Sequence, residues 1–128
     1  MTMLYKEKTE LIINAFYKVY NRLGYGFLER IYHNSFVHEL QKNGFNIKSE
    51  YPIKVTYDGV LVGDYFADII VDNSIIIEVK ATEQLREEHE CQLINYLKAT
   101  EMEVGLLFNF GRKPTFKRKL FTNDRKDF

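Results

Sequence analysis

The sequence contains a single cysteine, Cys91. No disulfide can form within the chain, which suits a reducing compartment, and the fold must be held by burial. There is no excess of either charge: lysine plus arginine and aspartate plus glutamate each number 18. The chain as a whole therefore has no electrostatic signature for a polyanion, and any such binding must rest on a local patch. No apolar run approaches the roughly 18 residues of a membrane span. The opening Met-Thr-Met-Leu-Tyr-Lys-Glu-Lys has no signal-peptide core. A cytoplasmic protein with no membrane partner is expected. Also missing are a phosphate-binding glycine loop, a dinucleotide fingerprint and a G-x-S-x-G elbow. His89 has no second histidine at metal-ligand spacing, which argues against zinc.

What is present is a globular composition: 128 residues, 45% hydrophobic and 15% aromatic. This suits one domain over residues 1–128, with a loose tail from about 121. Residues 9–23 carry Leu11, Ile12, Ala15, Phe16, Val19, Tyr20 and Leu23 at helical spacing, and Gly24 and Gly26 break the pattern. A second helix is predicted over 27–42, with Leu28, Ile31, Tyr32, Ser35, Phe36 and Leu40 as its stripe and Asn43-Gly44 as its stop. From Phe45 the period changes to two. Asp58-Gly59 marks a hairpin between strands 47–57 and 60–71, with Gly63 at a bulge or bend. A third strand covers 74–81. Thr82 is placed to cap a helix reaching about residue 100. Residues 104–110 read as a buried strand, and a last short strand can follow. The order is α-α-β-β-β-α-β. A helix between the third and fourth strands implies a parallel pair, hence an α/β fold with a mixed sheet flanked by helices.

The chain is organised around residues 64–80. Asp72-Asn73-Ser74 supplies turn chemistry between two β-branched runs. With those three residues as the loop, Val71 faces Ile75 and Asp68 falls directly opposite Glu78. Glu78 and Lys80 then share a face with Asp68. A two-residue loop would instead put the two carboxylates on opposite faces. Facing carboxylates among isoleucines repel and are costly to desolvate. A divalent cation between them removes both objections, and oxygen-only donors suit magnesium or manganese. The structural alternative is a strand-end pair, solvated or bridged by Lys80.

Asp68 followed after nine residues by Glu78-Val79-Lys80 resembles the motif of the PD-(D/E)xK nuclease superfamily. Gly26-Phe27-Leu28-Glu29-Arg30-Ile31-Tyr32 resembles the signature of the GxxExxY proteins, a family placed within it. The likeness runs on through Gln92-Leu93-Ile94-Asn95-Tyr96-Leu97 and Gly105-Leu106-Leu107-Phe108-Asn109-Phe110-Gly111. The resemblance implies a restriction-endonuclease-like fold, with Asp68 and Glu78 as metal ligands and the Val79 carbonyl as a third. It implies Lys80 as the catalytic lysine, Glu29 as an additional acidic residue and Gln92 as a polar residue of the following helix. Position 67 is alanine where the motif name has proline, a departure common in the superfamily.

Each residue also has a plain alternative. Glu29 sits where acids favour a helix N-terminus. Gln92 and His89 on a helical face are ordinary boundary polar groups. His33 pairs with Glu29 only as an i,i+4 neighbour. Cys91 is a helix residue without a histidine partner, and Tyr32 and Tyr96 suit a core. The basic cluster Arg112, Lys113, Lys117, Arg118 and Lys119 is the best source of phosphate contacts, or else a solvated face. The expectation is a magnesium- or manganese-dependent nuclease on nucleic acid, DNA rather than RNA, and a homodimer if both strands of a duplex are cut. The competing expectation is an inactive nucleic-acid-binding or interaction module on the same fold.

Overall fold

Hydrophobic spacing sets the elements, and their order sets the sheet. In the computed structural model, which describes residues 4–126, helices α1 (Lys6–Leu23) and α2 (Glu29–Lys42) precede strands β1 (Ile47–Tyr57), β2 (Val60–Val71) and β3 (Ile75–Lys80). Helix α3 (Glu87–Lys98) leads to β4 (Val104–Asn109) and β5 (Thr115–Leu120), and a single 3-10 turn, Asn123–Arg125, follows. The strands lie in chain order in one sheet. All neighbours are antiparallel except β3 and β4, which run parallel across the α3 crossover. The mixed α/β sheet with flanking helices is the restriction-endonuclease-like arrangement expected. Among the described residues, no helix is long and apolar enough to cross a membrane.

Each sheet face has its own core. On one, Ile12, Phe16, Tyr32, Phe36 and Leu40 of α1 and α2 meet Ile69, Val71, Ile77, Val79, Leu106 and Phe108. On the other, Leu93, Tyr96 and Leu97 of α3 cover Ile53, Ala67, Ile70, Ile76 and Leu107. The inward stripe of α2 is narrower than its sequence suggests. Tyr32, Phe36 and Leu40 repeat every four residues and are buried, whereas Leu28 is 78% exposed and Ile31 is exposed beside it. Gly24, at φ +73, ends α1 by donating its N–H to the Tyr20 carbonyl at 2.7 Å.

Two local expectations need correction. Helix α3 begins at Glu87, not near Thr82. The Thr82 N–H donates to Asn109 Oδ1 at 3.0 Å, and Asn109 Nδ2 donates to the Thr82 carbonyl at 2.9 Å. This clamp uses Thr82 backbone groups that a helix start would need. The cap is supplied later, where the Arg86 N–H donates to His89 Nδ1 at 3.1 Å, which also accounts for His89. Residues 121–126 are not a loose tail. The Phe121 N–H reaches the Glu103 carbonyl at 2.8 Å, and Lys126 Nζ reaches the carbonyls of Thr100 and Met102. Asp127 and Phe128 lie outside the described residues.

Candidate active site

The site is built where β2 and β3 part. Asp72 and Asn73 both adopt left-handed backbone angles, at φ 51 and 53, and the loop 72–74 sets Val71 opposite Ile75. This is the three-residue register expected. The ladder runs through Ile70 and Ile76 to Ile69 and Ile77, then stops. One step further, the carboxylates take over the hydrogen bonding. Glu78 Oε2 accepts the Asp68 N–H at 2.8 Å, and Asp68 Oδ2 accepts the Val79 N–H at 2.7 Å. Each acid thus holds the other strand's backbone, and the pair is locked in place by crossed bonds.

The opposite edge of β2 is disturbed at the same level. Glu50 of β1 has φ 52, between the paired residues Ser49 and Tyr51. The side-chain alternation slips there, so that Ala67 and Ile70, three positions apart, both pack under α3. The Arg30 guanidinium meets the Glu50 carboxylate at 2.6 Å across this bend. Both strands therefore bend around Asp68.

Glu78 is 3% exposed. Burial pushes its carboxyl up to about 8, and the negative charge of Asp68 adds to that; the Asp68 N–H and the Lys80 ammonium oppose it. Glu29 is near enough for its charge to raise Glu78 further, as the smallest of these effects. A buried acid next to another acid is short of positive charge, and a bound cation would supply it. The remaining oxygens, Asp68 Oδ1 and Glu78 Oε1, accept no hydrogen bond from the described residues. The pair therefore suits a hard divalent ion. Among the described residues, no three His, Cys, Asp or Glu side chains converge as a metal cluster, so Glu29 does not complete the set.

The other expected site residues fall as follows. Lys80 is half-buried at the end of β3, one strand residue beyond Val79, and its carbonyl accepts the Phe110 N–H at 2.8 Å. Gln92 lies on α3, where its Nε2 donates to the Tyr96 hydroxyl at 3.0 Å. Burial raises the Tyr96 phenol, and the charges of Glu78 and Asp68 raise it further. Gln92 therefore orients the Tyr96 hydroxyl and is not hydrogen-bonded to the carboxylates. His33 is buried and its Nε2 lies 2.7 Å from Ser49 Oγ, so it belongs to the α2–β1 contact.

The basic cluster is divided by strand alternation. Lys119 pairs with Glu90 of α3 at 2.6 Å. Arg118 turns the other way and donates to the Leu4 carbonyl. Arg112 lies over the Tyr25 ring, 3.9 Å from Glu83. Lys113 and Lys117 are exposed. No single patch gathers all five.

Tyr32 explains the local design of the loop before α2. Its hydroxyl donates to the Gly24 carbonyl at 2.5 Å and accepts the Phe27 N–H at 3.1 Å. Gly26 has φ +111, which side-chain-bearing residues rarely adopt. The glycine and the tyrosine together fix where α2 starts, and hence where Glu29 stands. Asn109, 1% exposed, is a positioning residue that sequence reading passed over. It lies opposite Lys80 in the parallel register and fixes the chain leaving β3. An asparagine within an otherwise apolar strand was the available signal.

The model of the PD-(D/E)XK nuclease superfamily matches residues 6–119, and the chain belongs to that superfamily. Two solved structures share the fold. The crystal structure of SSO0001 is 24% identical with a TM-score of 0.58, over 93% of this chain and 61% of the other. The alkaline exonuclease LHK-Exo from Laribacter hongkongensis is 10% identical with a TM-score of 0.54, over 96% of this chain and 73% of that one. The chain thus spans less than two thirds of SSO0001. No curated protein matches it.

Proposed function

We propose that this chain is a magnesium- or manganese-dependent nuclease, of the GxxExxY branch of its superfamily, that hydrolyses phosphodiester bonds in DNA in preference to RNA. The observation that carries the reading is the crossed pair of acids. Asp68 and Glu78 are held by each other's strand, Glu78 buried and Asp68 half-buried, and the pair is deficient in positive charge, with Lys80 two residues beyond Glu78. Superfamily membership and the fold shared with an alkaline exonuclease support it.

Asp68 and Glu78 would hold the ion. When bound, such an ion acidifies water and withdraws charge from a phosphate. The protein's own groups do the rest. The crossed backbone bonds keep the acids from swinging apart, so the site is preorganised. Lys80 would hold a phosphate oxygen or orient the attacking water. Gln92 and Tyr96 close the α3 side, and Glu29 adds negative charge at the α2 side. Lys113 and Lys117, exposed and on either side of Pro114, would meet the backbone phosphates. A homodimer would bring two such sites to one duplex.

The test is cleavage of labelled single-stranded and duplex DNA and RNA with magnesium or manganese. Glu78→Ala and Lys80→Ala should each lower the rate at least about 100-fold while circular dichroism stays that of the wild type. Full activity in both variants would remove the assignment. One observation favours a second reading: the donor set has two carboxylates rather than three. A nucleic-acid-binding module without catalysis would bind independently of metal and with a steep salt dependence, reduced in Lys117→Ala.

A further inference from the structure

We propose that the cavity beside the acid pair receives one unpaired nucleobase of the strand being cut, which makes single-stranded or locally unpaired nucleic acid the substrate class. This rests on the nuclease reading and goes beyond it. The cavity is about 790 Å³ and lies between α3 and the outer half of the β1–β2 hairpin. That volume is within the roughly 300–1,000 Å³ usual for small-molecule sites.

Three features define what it can take. First, it adjoins the candidate active site. Tyr96 lines it and feels the charges of Glu78 and Asp68, so an occupant would lie on the α3 side of the acid pair. Second, it carries an aromatic surface held in place by the backbone. Tyr65 is 50% exposed, and its ring lies back over Gly63, where an added Cβ would come within 2.9 Å of Tyr65 Cε2. The Tyr65 and Tyr96 ring centres are 6.0 Å apart at a 43° tilt. Glycine at 63 is what lets the ring lie there. The outer face of Tyr65 is left free to stack. Third, the lining carries polar groups a nucleotide can use. Asn95 offers an amide donor and acceptor, and Lys54 supplies an ammonium group, whereas the Lys98 ammonium lies over the Phe121 ring. Glu88 also lines the cavity, 3.7 Å from Arg86.

An aromatic ring reaches the face of a base only when the base has left its stack, and single-strand binders use this contact because every base has such a face. Duplex DNA presents phosphates and groove edges instead. A half-exposed tyrosine next to a phosphate-handling site therefore selects the unpaired strand. The acid pair lies beyond Tyr96, which lines the cavity, and a single strand can bend from the cavity toward it.

The experiment measures fluorescence anisotropy of a labelled 12-nucleotide single strand and its duplex in chelator, and maps cleavage on the same strands with manganese. Wild type should bind the single strand at least about tenfold tighter than the duplex. Tyr65→Ala should lose about tenfold on the single strand and nothing on the duplex, as expected for one stacked base. Tyr65→Phe should keep wild-type affinity. One abasic position, scanned along the strand, should reproduce the loss in wild type and add nothing to Tyr65→Ala. Gly63→Ala keeps the tyrosine but displaces its ring, and should show the same loss; it decides the matter if Tyr65→Ala does not fold. Equal affinity for single strand and duplex, or no effect of either substitution, overturns the proposal. Cleavage without single-strand preference defeats the base pocket and leaves the nuclease reading standing. The full binding pattern without cleavage by wild type defeats the nuclease reading and keeps the pocket.

Discussion

Glu78 shows how one residue can be held in an unfavourable state by its neighbours. Its carboxyl titrates near 8 in the folded chain, against 4.5 ordinarily, because burial and Asp68 both oppose ionisation. Between those values the folded protein binds more protons than the unfolded one, so stability falls as pH rises through that window and is level above it. The total loss is on the order of a few kcal/mol at most. Glu78→Gln keeps an oxygen for the Asp68 N–H and removes the charge. In chelator it should lack the fall in stability that Glu78 causes as pH rises from about 4.5 to about 8, and be more stable than wild type at pH 9, by chemical denaturation. Wild type should regain stability at pH 8 and above when manganese is added, and the variant should not. A variant less stable than wild type at pH 9 would show that the acid pair is held by attraction rather than by enforced proximity.

The elements differ in how far their chain sequence announces them. The β2–β3 hairpin was legible because Asp-Asn-Ser accepts left-handed angles and β-branched residues flank it, so loop length alone fixed which acids face each other. The start of α3 was not legible. Thr82 followed by Glu83 satisfies every local rule for a cap, yet Asn109, distant in sequence, takes its backbone groups. The basic cluster illustrates a different limit. Its residues are close in sequence, but Arg112 and Lys113 precede β5 while the other three belong to it, and the strand's period of two sends Arg118 and Lys119 to different faces. Tyr65 was invisible as a site residue because its position depends on its lying over Gly63 and on a bend at Asp68. The clamp between β4 and the chain after β3 yields a prediction at this scale. Asn109→Ala leaves the Thr82 N–H and carbonyl without partners and should cost about 1–3 kcal/mol. Hydrogen exchange should quicken at residues 81–86 first. Unchanged exchange there would show that Asn109 is not what holds the segment.

At the scale of the molecule, two helices on one face of the sheet and one on the other leave the acid pair at the margin, where β2 and β3 separate. The sheet is continuous on both sides of that gap, from β1 to β5. The surroundings of the acids come from both halves of the chain. Bent strands 47–80 bring the carboxylates, and α3 brings Tyr96 and Gln92. Zero net charge over 128 residues leaves attraction for a polyanion to the few cations not already paired.

The single parallel crossover has a kinetic consequence. Asp68 and Glu78 meet across a three-residue loop, a contact that closes fast, whereas α3 and β4 reach β3 only after a long excursion of the chain. The carboxylates therefore come together while still wet, and lose their water when the crossover docks. If docking follows the rate-limiting step, the cost of ionising Glu78 falls on the native state alone. Stopped-flow chevrons at pH 6 and pH 9 should then share a refolding limb, with the unfolding limb faster at pH 9. Slower refolding at pH 9 with an unchanged unfolding limb would instead put the docking of α3 before the barrier.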